Sequence, residues 1–248
     1  MKYCSPVYRA LNPAAGQPSP YRQLHWAYLC VYNLWLLLCP AHLSVDYSMG
    51  TIPLITSIMD LRNLLTISVF SCGVCLGVIL CRGNEKRNRI LLFGFIFMII
   101  PFLPASNLFF PVGFVVAERV LYLPSMGFCM LVAYGTRHVA TILNSRHSGL
   151  LLSSSAVTYL LLLHSVKTLG RNRAWVSEEL LYREAVRTYP TNAKMLHNLA
   201  TSVAGTDLVM AEKLLRMSSQ AEPNYVTAFS DLGLVLSQQN KLRRAEEV

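Results

Sequence analysis

An acidic and a basic residue stand side by side in an otherwise apolar stretch of the chain. Glu118 and Arg119 lie within residues 101–129, which also contain four prolines and no other charged residue. A charged side chain in bare hydrocarbon costs on the order of a few kcal/mol, so such residues usually face a bundle interior or an aqueous cavity. An arginine at such a place can grip a phosphate with two parallel hydrogen bonds. The residues alone fit two interpretations equally well. One is a phosphate site, and the other is an ion pair that fixes helix ends at a membrane surface.

The elements that must position this pair are membrane helices. Apolar residues make up 53% of the chain and charged residues 14%, whereas about 25% of residues are charged in soluble domains. Residues 64–81 and 149–166 are each uncharged over 18 residues, about the length that crosses a bilayer core. Apolar stretches that are shorter or contain proline cover 24–40, 90–104 and 120–135. We therefore predict a membrane domain at 24–166 with about five segments, preceded by a polar segment at 1–23.

The net charge of +9 is distributed as in a membrane protein rather than as in a nucleic-acid-binding protein. Residues 82–89 hold four Lys/Arg, and residues 137–147 hold two arginines, two histidines and no acid. The stretches 41–63 and 105–119 carry little positive charge. Because positively charged loops stay on the cytoplasmic side of a membrane, we predict that 82–89 and 137–147 are cytoplasmic. The residues that follow the last membrane segment then lie on the opposite, lumenal side.

The C-terminal part of the chain, residues 167–248, follows the 34-residue template of tetratricopeptide (TPR) repeats. Pro190 and Pro223 end successive units and lie 33 residues apart. The spacing predicts a half unit up to 190, a unit at 193–223 and a partial unit at 226–248. Template positions, which are structural residues of the TPR groove, fall at Leu196, Leu199, Phe229, Leu232, Gly233 and Ala245.

Repeats of this kind bury their apolar faces only by stacking on neighbours, and about three or more are needed for stability. Since the last unit stops within its second helix, we expect the chain to be an internal fragment or a truncated form of a longer protein. The alternative is an ordinary amphipathic helical tail, which the spacing of Gly, Ala and Pro disfavours.

The seven cysteines do not indicate a disulfide framework, because six lie in or beside apolar segments and none lies in the TPR tail. Cys72 and Cys75 have the spacing of a redox or metal motif. They lie in a predicted membrane helix without a nearby histidine or charge, so we interpret them as small packing residues. We predict no metal site and no tightly bound cofactor.

Four motifs together resemble the transmembrane and tetratricopeptide-repeat containing (TMTC) family. They are Asn-Pro-Ala-Ala at 12–15, Asn-Leu-Trp-Leu-Leu-Leu at 33–38, Asp-Tyr-Ser-Met-Gly-Thr-Ile-Pro-Leu-Ile at 46–55, and the run at 105–127 that includes the acid–base pair. Their order and the TPR tail also match, so the resemblance covers essentially the whole chain. It implies an all-α, multi-pass protein of the endoplasmic-reticulum membrane, similar to the type-C glycosyltransferases, with a lumenal TPR tail.

The resemblance also implies a reaction. Family members are associated with the transfer of mannose from dolichyl-phosphate mannose, the donor, to Ser/Thr of cadherin-type acceptor proteins, and the TPR groove would hold the acceptor protein. Members usually carry an acidic catalytic motif in the first lumenal loop, and no part of this chain corresponds to it. The general base is therefore expected upstream, and no catalytic residue is assigned in this sequence.

The residues expected to line the site come from the recognised motifs. Arg119 is the candidate for the lipid phosphate, and Glu118, Asn107 and Tyr122 are its expected orienting neighbours. Asp46 is the nearest acid on the predicted lumenal side, although an aspartate at the start of a loop more often caps a helix or turn. Two functions of other classes stay open: a non-catalytic, membrane-anchored TPR adaptor, and a transporter, which only the intramembrane prolines support.

Overall fold

The computed structural model describes residues 12–83, 86–143 and 148–240. Within these ranges all regular secondary structure is helical, as predicted. Nine α-helices occur there: α1 Tyr21–Leu38, α2 Leu61–Arg82, α3 Lys86–Ile99, α4 Tyr122–Leu143, α5 Ser148–Ala174, α6 Glu178–Thr188, α7 Ala193–Val203, α8 Leu208–Ala221 and α9 Val226–Gln238. Short 3-10 helices span Pro13–Gly16, Ile100–Ala105 and Glu118–Leu121. Ala245, a predicted TPR position, lies outside the described residues.

The chain folds into two compact units. The described residues of the first unit are 12–60, 110–118 and 174–240, and those of the second are 61–83, 86–109, 119–143 and 148–173. The first unit therefore joins three stretches that are far apart in the sequence. We call residues 39–60 the 39–60 loop and residues 174–240 the helical tail.

The second unit contains the helices that are suited to a bilayer. Two helical stretches in the described ranges are long and apolar enough to cross a membrane, Leu61–Arg82 and Asn88–Ala105. They contain the predicted segments 64–81 and 90–104. The predicted segments 120–135 and 149–166 lie largely in α4 and within α5, and their crossing of a membrane stays a prediction. The leucines at 160–163 of α5 are exposed, which suits apolar surroundings.

Two glycines allow α3 and α4 of the second unit to approach each other closely. A Cβ atom on Gly127 would lie 2.5 Å from the Met98 nitrogen and 2.6 Å from the Gly94 oxygen. A Cβ atom on Gly94 would lie 3.1 Å from a methyl group of Leu131. Small residues at helix interfaces in membranes let backbones come together in this way. Gly127 is therefore required at the contact because its missing side chain leaves room for the α3 backbone.

Helix α1 covers most of the predicted membrane segment 24–40, yet it belongs to the first unit. The Tyr32 hydroxyl, near its middle, lies 3.0 Å from the Tyr189 hydroxyl of the helical tail. Just before the helix, Gln17 donates a hydrogen bond of 3.2 Å to the Ile55 carbonyl of the 39–60 loop. These contacts connect the region of α1 to the helical tail and to the 39–60 loop. A membrane crossing at 24–40 stays a prediction.

The helical tail consists of short helices that pack on their neighbours in sequence. Ser177, Asn192 and Asp207 cap α6, α7 and α8, and each accepts a hydrogen bond from the backbone N–H three residues later. The turn between α7 and α8 falls at 204–207, around Gly205. The buried core of this region is formed by Leu196, Leu199, Ala200, Val203, Ala211, Leu214, Leu215, Leu232, Val235 and Leu236. Capped helices on a shared apolar core give the tail a defined shape.

Of the predicted TPR positions, Leu196, Leu199 and Leu232 are buried in this core, and Phe229 and Gly233 are half-buried. His197 of α7 reaches α9, where its Nε2 lies 2.7 Å from Asp231 Oδ2. The link joins residues 34 positions apart, which is the length of one TPR unit. The assignment of these helix pairs as TPR units stays a prediction.

Candidate functional site

A buried tyrosine and a carboxylate join two parts of the first unit. Tyr47 is 1% exposed, and its hydroxyl donates to Glu118 Oε1 over 2.7 Å. The Ser44 backbone N–H donates to the same oxygen over 2.8 Å. Glu118 follows residues 110–117 in the chain, whereas the other two residues belong to the 39–60 loop. One carboxylate oxygen therefore ties these two segments together through two hydrogen bonds.

The electrostatics of this pair keep the phenol protonated. Burial raises the pKa of Tyr47, and the negative charge of Glu118 and the hydrogen bond to it raise this pKa further. The His42 carbonyl oxygen lies 3.1 Å from the same hydroxyl and is a second acceptor for its proton. Tyr47 is thus a permanent donor to Glu118 at neutral pH. The arrangement can hold a loop in place, and it fixes the direction in which the Glu118 side chain extends.

Asp46 binds the start of the helical tail. Its Oδ2 accepts a hydrogen bond from Lys194 Nζ over 2.6 Å, and its Oδ1 accepts one from the Ser48 N–H over 2.6 Å. Burial raises the pKa of Asp46, but the hydrogen bonds from Lys194 and Ser48 and the Lys194 charge outweigh this effect and leave the pKa below its ordinary value. The carboxylate is therefore ionised at neutral pH. It caps a turn of the 39–60 loop with one oxygen and holds Lys194 with the other.

Asn192 makes the second connection between the tail and the 39–60 loop. Its Nδ2 donates to Thr51 Oγ1 over 2.8 Å and to the Asp46 carbonyl oxygen over 3.1 Å. Its Oδ1 accepts from the Met195 N–H over 3.0 Å and so caps α7. The residue is fully buried. A single amide therefore serves both as the helix cap and as the anchor of that helix on the loop.

Three tyrosine rings fill the space beside these polar contacts. Tyr47 lies between Tyr32 of α1 and Tyr189 of the tail, with ring centroids 6.0 and 5.7 Å away in edge-to-face arrangements. Such pairs contribute about 0.5–1.5 kcal/mol beyond the area they bury. The 39–60 loop is thus held between α1 on one side and the helical tail on the other.

The predicted site residues divide between the two units. Asp46 and Glu118 belong to the network of the first unit, where Ser44 Oγ donates to the Asp46 carbonyl oxygen over 3.1 Å. Asn107, Arg119 and Tyr122 belong to the second unit. Asn107 is buried and has a φ angle of 62°, a conformation that asparagine adopts more readily than most residues. Tyr122 is 71% exposed, and the Arg119 side chain is also exposed.

Sequence reasoning assigned no role to several residues that make these contacts, among them Ser44, Tyr47, Asn192 and Lys194. Tyr47 lies inside the recognised motif at 46–55, so the motif indicated the right loop without assigning a role to the tyrosine. Lys194 meets an acid 148 residues earlier in the chain, and one sequence contains no signal for such a pairing. Across the described ranges, no group of three or more His, Cys, Asp or Glu side chains is placed to hold a metal ion.

Comparison with known proteins gives consistent matches. A family model described as "Protein O-mannosyl-transferase TMTC, DUF1736" matches residues 4–74. Protein O-mannosyl-transferase TMTC3 of Homo sapiens is 41% identical over 237 residues, which are 95% of this chain and 26% of the human protein. Tmtc3 of Drosophila melanogaster is 44% identical over 76% of the chain and 20% of its own length. TMTC1 of Homo sapiens is 46% identical over 72% of the chain and 20% of its own length.

The chain therefore spans about a quarter of the length of the TMTC3 proteins of Homo sapiens and Mus musculus. No solved structure matches the chain at a significant level. The alignment with human TMTC3 covers 95% of this chain, including the 39–60 loop and the run that holds Glu118 and Arg119. On the strength of the family model and these identities, the chain belongs to the TMTC family.

Proposed function

We propose that the protein to which this chain belongs transfers mannose from dolichyl-phosphate mannose to Ser/Thr hydroxyls of cadherin-type acceptor proteins at the endoplasmic-reticulum membrane. The observation that carries the proposal is the 41% identity, over 95% of the chain, to a protein that is named a protein O-mannosyl-transferase. The relatives' names support O-mannosyl transfer in general. The dolichyl-phosphate mannose donor, the cadherin-type acceptors and the endoplasmic-reticulum location go beyond those names and are part of our proposal.

The reaction sets three chemical demands. A base must receive the proton of the acceptor hydroxyl, cations or dipoles must stabilise the departing phosphate, and the lipid needs a dry pocket. Arg119 is our candidate for the phosphate, because its guanidinium can make two charge-assisted hydrogen bonds to it. We assign the general base to no residue of this chain. The helical tail is the proposed holder of the acceptor, since stacked helix pairs form a concave binding surface.

The contacts of the first unit bear on which side of the membrane the tail lies. Lys194 and Asn192 of the tail bind Asp46 and Thr51 of the 39–60 loop directly, so the loop and the tail share one side of any membrane. Residues 41–63 carry little positive charge, whereas 82–89 carry four Lys/Arg. Under the positive-inside rule this difference supports a lumenal loop and, with it, a lumenal tail.

A glycosylation site in the tail tests this orientation. Substitution Val226→Thr turns Asn224-Tyr225-Val226 into an Asn-x-Thr acceptor, and both Asn224 and Val226 are exposed. We expect the variant to gain one glycan in cells, seen as a mobility shift that endoglycosidase reverses. The matched control adds Asn224→Gln to the same chain and should show no shift. A membrane-inserted Val226→Thr protein without a glycan would place the tail on the cytoplasmic side.

The experiment that tests the proposed function replaces Arg119 with lysine in the full-length protein. Lysine keeps the charge but loses the planar fork, and a charge-assisted hydrogen bond contributes about 1.5–3 kcal/mol. We therefore expect mannose transfer per folded molecule to fall about ten- to a hundredfold, since 1.4 kcal/mol is about tenfold in rate. The substitution Arg137→Lys, also in the second unit, is the matched control and should leave transfer unchanged. Equal transfer by the wild type and the Arg119→Lys variant would remove Arg119 from the site.

A further inference from the structure

We propose that Asn192 and Lys194 are positioning residues for folded acceptor proteins, because they fix the start of helix α7 of the tail on the 39–60 loop. The inference rests on the proposed function. It adds that the binding of folded acceptor proteins depends on the contacts between the tail and the 39–60 loop, which we call the junction. Neither residue is assigned contact with the donor or with the reacting atoms.

Four contacts between polar groups form the junction. Lys194 Nζ lies 2.6 Å from Asp46 Oδ2, and these side chains are only 30% and 21% exposed. The Asn192 amide donates to Thr51 Oγ1 and to the Asp46 carbonyl oxygen over 2.8 and 3.1 Å. The Tyr189 hydroxyl lies 3.4 Å from the His42 carbonyl oxygen. The Lys194–Asp46 contact is partly buried and charge-assisted, so it is stronger and less screened than an exposed ion pair.

The junction fixes direction as well as position. Because the Oδ1 atom of Asn192 caps α7 while its Nδ2 atom binds the loop, helix α7 cannot shift along its axis without breaking one set of bonds. The orientation of α7 is passed on through the tail. Ser218 of α8 donates to the Ala193 carbonyl oxygen over 2.7 Å, and His197 of α7 pairs with Asp231 of α9. The helices that follow α7 are thus held in a fixed arrangement relative to the 39–60 loop.

A fixed arrangement matters only to a ligand that touches both parts. A folded acceptor protein is large enough to contact the tail and the 39–60 loop at the same time, whereas a short Ser/Thr peptide can occupy one of them. When two contacts act on one ligand, a rigid link raises their joint affinity without any new contact. Loosening the junction should therefore weaken the binding of folded acceptors and spare peptides.

The test uses a substitution that separates capping from anchoring. Asn192→Asp keeps an oxygen to cap α7 but removes both donors to the 39–60 loop, and it places a negative charge beside the Asp46 carbonyl oxygen and Thr51. Lys194→Ala removes the ion pair, and Lys194→Arg retains a cation. The matched control is Asp207→Asn, which exchanges the same two residue types at the cap of α8, with the opposite change of charge and without touching the loop.

In the full-length protein, hydrogen exchange should show the junction directly. We expect the amides of the 39–60 loop to exchange at least about tenfold faster in Asn192→Asp and in Lys194→Ala, and at the wild-type rate in Lys194→Arg and in Asp207→Asn. In transfer assays, the KM for a folded cadherin-type domain should rise about tenfold in the first two variants. Their kcat, and the transfer to a short Ser/Thr peptide, should stay unchanged.

The outcomes separate the existence of the junction from its role in binding folded acceptors. Unchanged exchange in Asn192→Asp would show that the junction does not hold the loop, whatever the activity. Faster exchange with an unchanged KM for the folded acceptor would keep the junction and overturn its role in acceptor positioning. Absence of transfer by the wild type would overturn the proposed function and the acceptor role with it, and the exchange data would then report on the junction alone.

Discussion

Replacing Gly127 with alanine is expected to destabilise the second unit, although the same change in most helices is stabilising. The added Cβ atom would lie 2.5 Å from the Met98 nitrogen and 2.6 Å from the Gly94 oxygen. Both neighbours are backbone atoms, so no side-chain rotation can make room and α3 must move away from α4. Overpacking of this kind costs about 1–3 kcal/mol. Thermal unfolding of the detergent-purified protein should show a clearly lower Tm.

Gly135→Ala in the same helix is the matched control. A Cβ atom on Gly135 meets nothing within 4 Å, and alanine is favoured over glycine in a helix interior by about 1 kcal/mol. We expect the Tm of Gly135→Ala to be unchanged or raised. Equal Tm values for the Gly127 and Gly135 variants would contradict the close approach of α3 and α4.

The second large effect is expected at Glu118. Substitution Glu118→Ala removes one acceptor of the Ser44 N–H and one of the buried Tyr47 hydroxyl. The Ser44 N–H keeps the Tyr47 hydroxyl oxygen at 3.1 Å as an acceptor. Leaving buried donors without their partner costs about 1–3 kcal/mol for each group. Because Tyr47 keeps the His42 carbonyl oxygen at 3.1 Å, we expect a total loss of about 2 kcal/mol in the free energy of unfolding. Glu118→Gln retains an oxygen at this place and should lose less.

A double-mutant cycle separates the structural role from a chemical one. Tyr47→Phe and Glu118→Gln, alone and together, should show a coupling of about 0.5–3 kcal/mol in the free energy of unfolding, as residues in direct contact do. Mannose transfer per folded molecule should fall only mildly in Glu118→Gln if the carboxylate holds the 39–60 loop. A fall as steep as in Arg119→Lys would show instead that Glu118 handles protons in the reaction. Additive stabilities would contradict the Tyr47–Glu118 contact.

The helical content and many helix ends could be predicted from the sequence, because their causes are local. Apolar runs without charge predict 64–81 and 90–104, and both lie in helical stretches that can cross a bilayer. Pro190 and Pro223 mark breaks between tail helices, since proline cannot continue a helix interior. Leu196, Leu199 and Leu232 were placed in the packed interior of the tail by their spacing alone, and they lie in its core.

The omissions concern contacts that are not local. The hydroxyl of Tyr32, in the apolar segment 24–40, lies 3.0 Å from the hydroxyl of Tyr189, 157 residues later, and only the folded chain reveals this contact. The sequence offered Asp46 as a possible turn cap, because aspartate side chains often accept a hydrogen bond from the backbone N–H two residues later. Its Oδ1 accepts such a bond from the Ser48 N–H. Its pairing with Lys194 could not be foreseen, since the tail and the loop carry no common pattern.

Glu118 and Arg119 show a further limit of sequence reasoning. Their adjacency suggested a joint role, yet Glu118 is bound by Ser44 and Tyr47 within the first unit, and Arg119 begins the next stretch of the second unit. Neighbouring residues in a chain can belong to different packing units when the backbone passes from one to the other. The contacts of Glu118 tie it to the 39–60 loop, and the roles of Glu118 and Arg119 at a lipid-phosphate site stay predictions.

The measurement that bears most directly on the proposed function is transfer of labelled mannose from dolichyl-phosphate mannose to a folded cadherin-type domain by the purified full-length protein. We expect label on Ser/Thr of the acceptor, reduced about ten- to a hundredfold by Arg119→Lys and unaffected by Arg137→Lys. The contrary result is an acceptor that the helical tail binds but that gains no label from the wild-type protein. That result would identify a membrane-anchored adaptor rather than a mannosyltransferase.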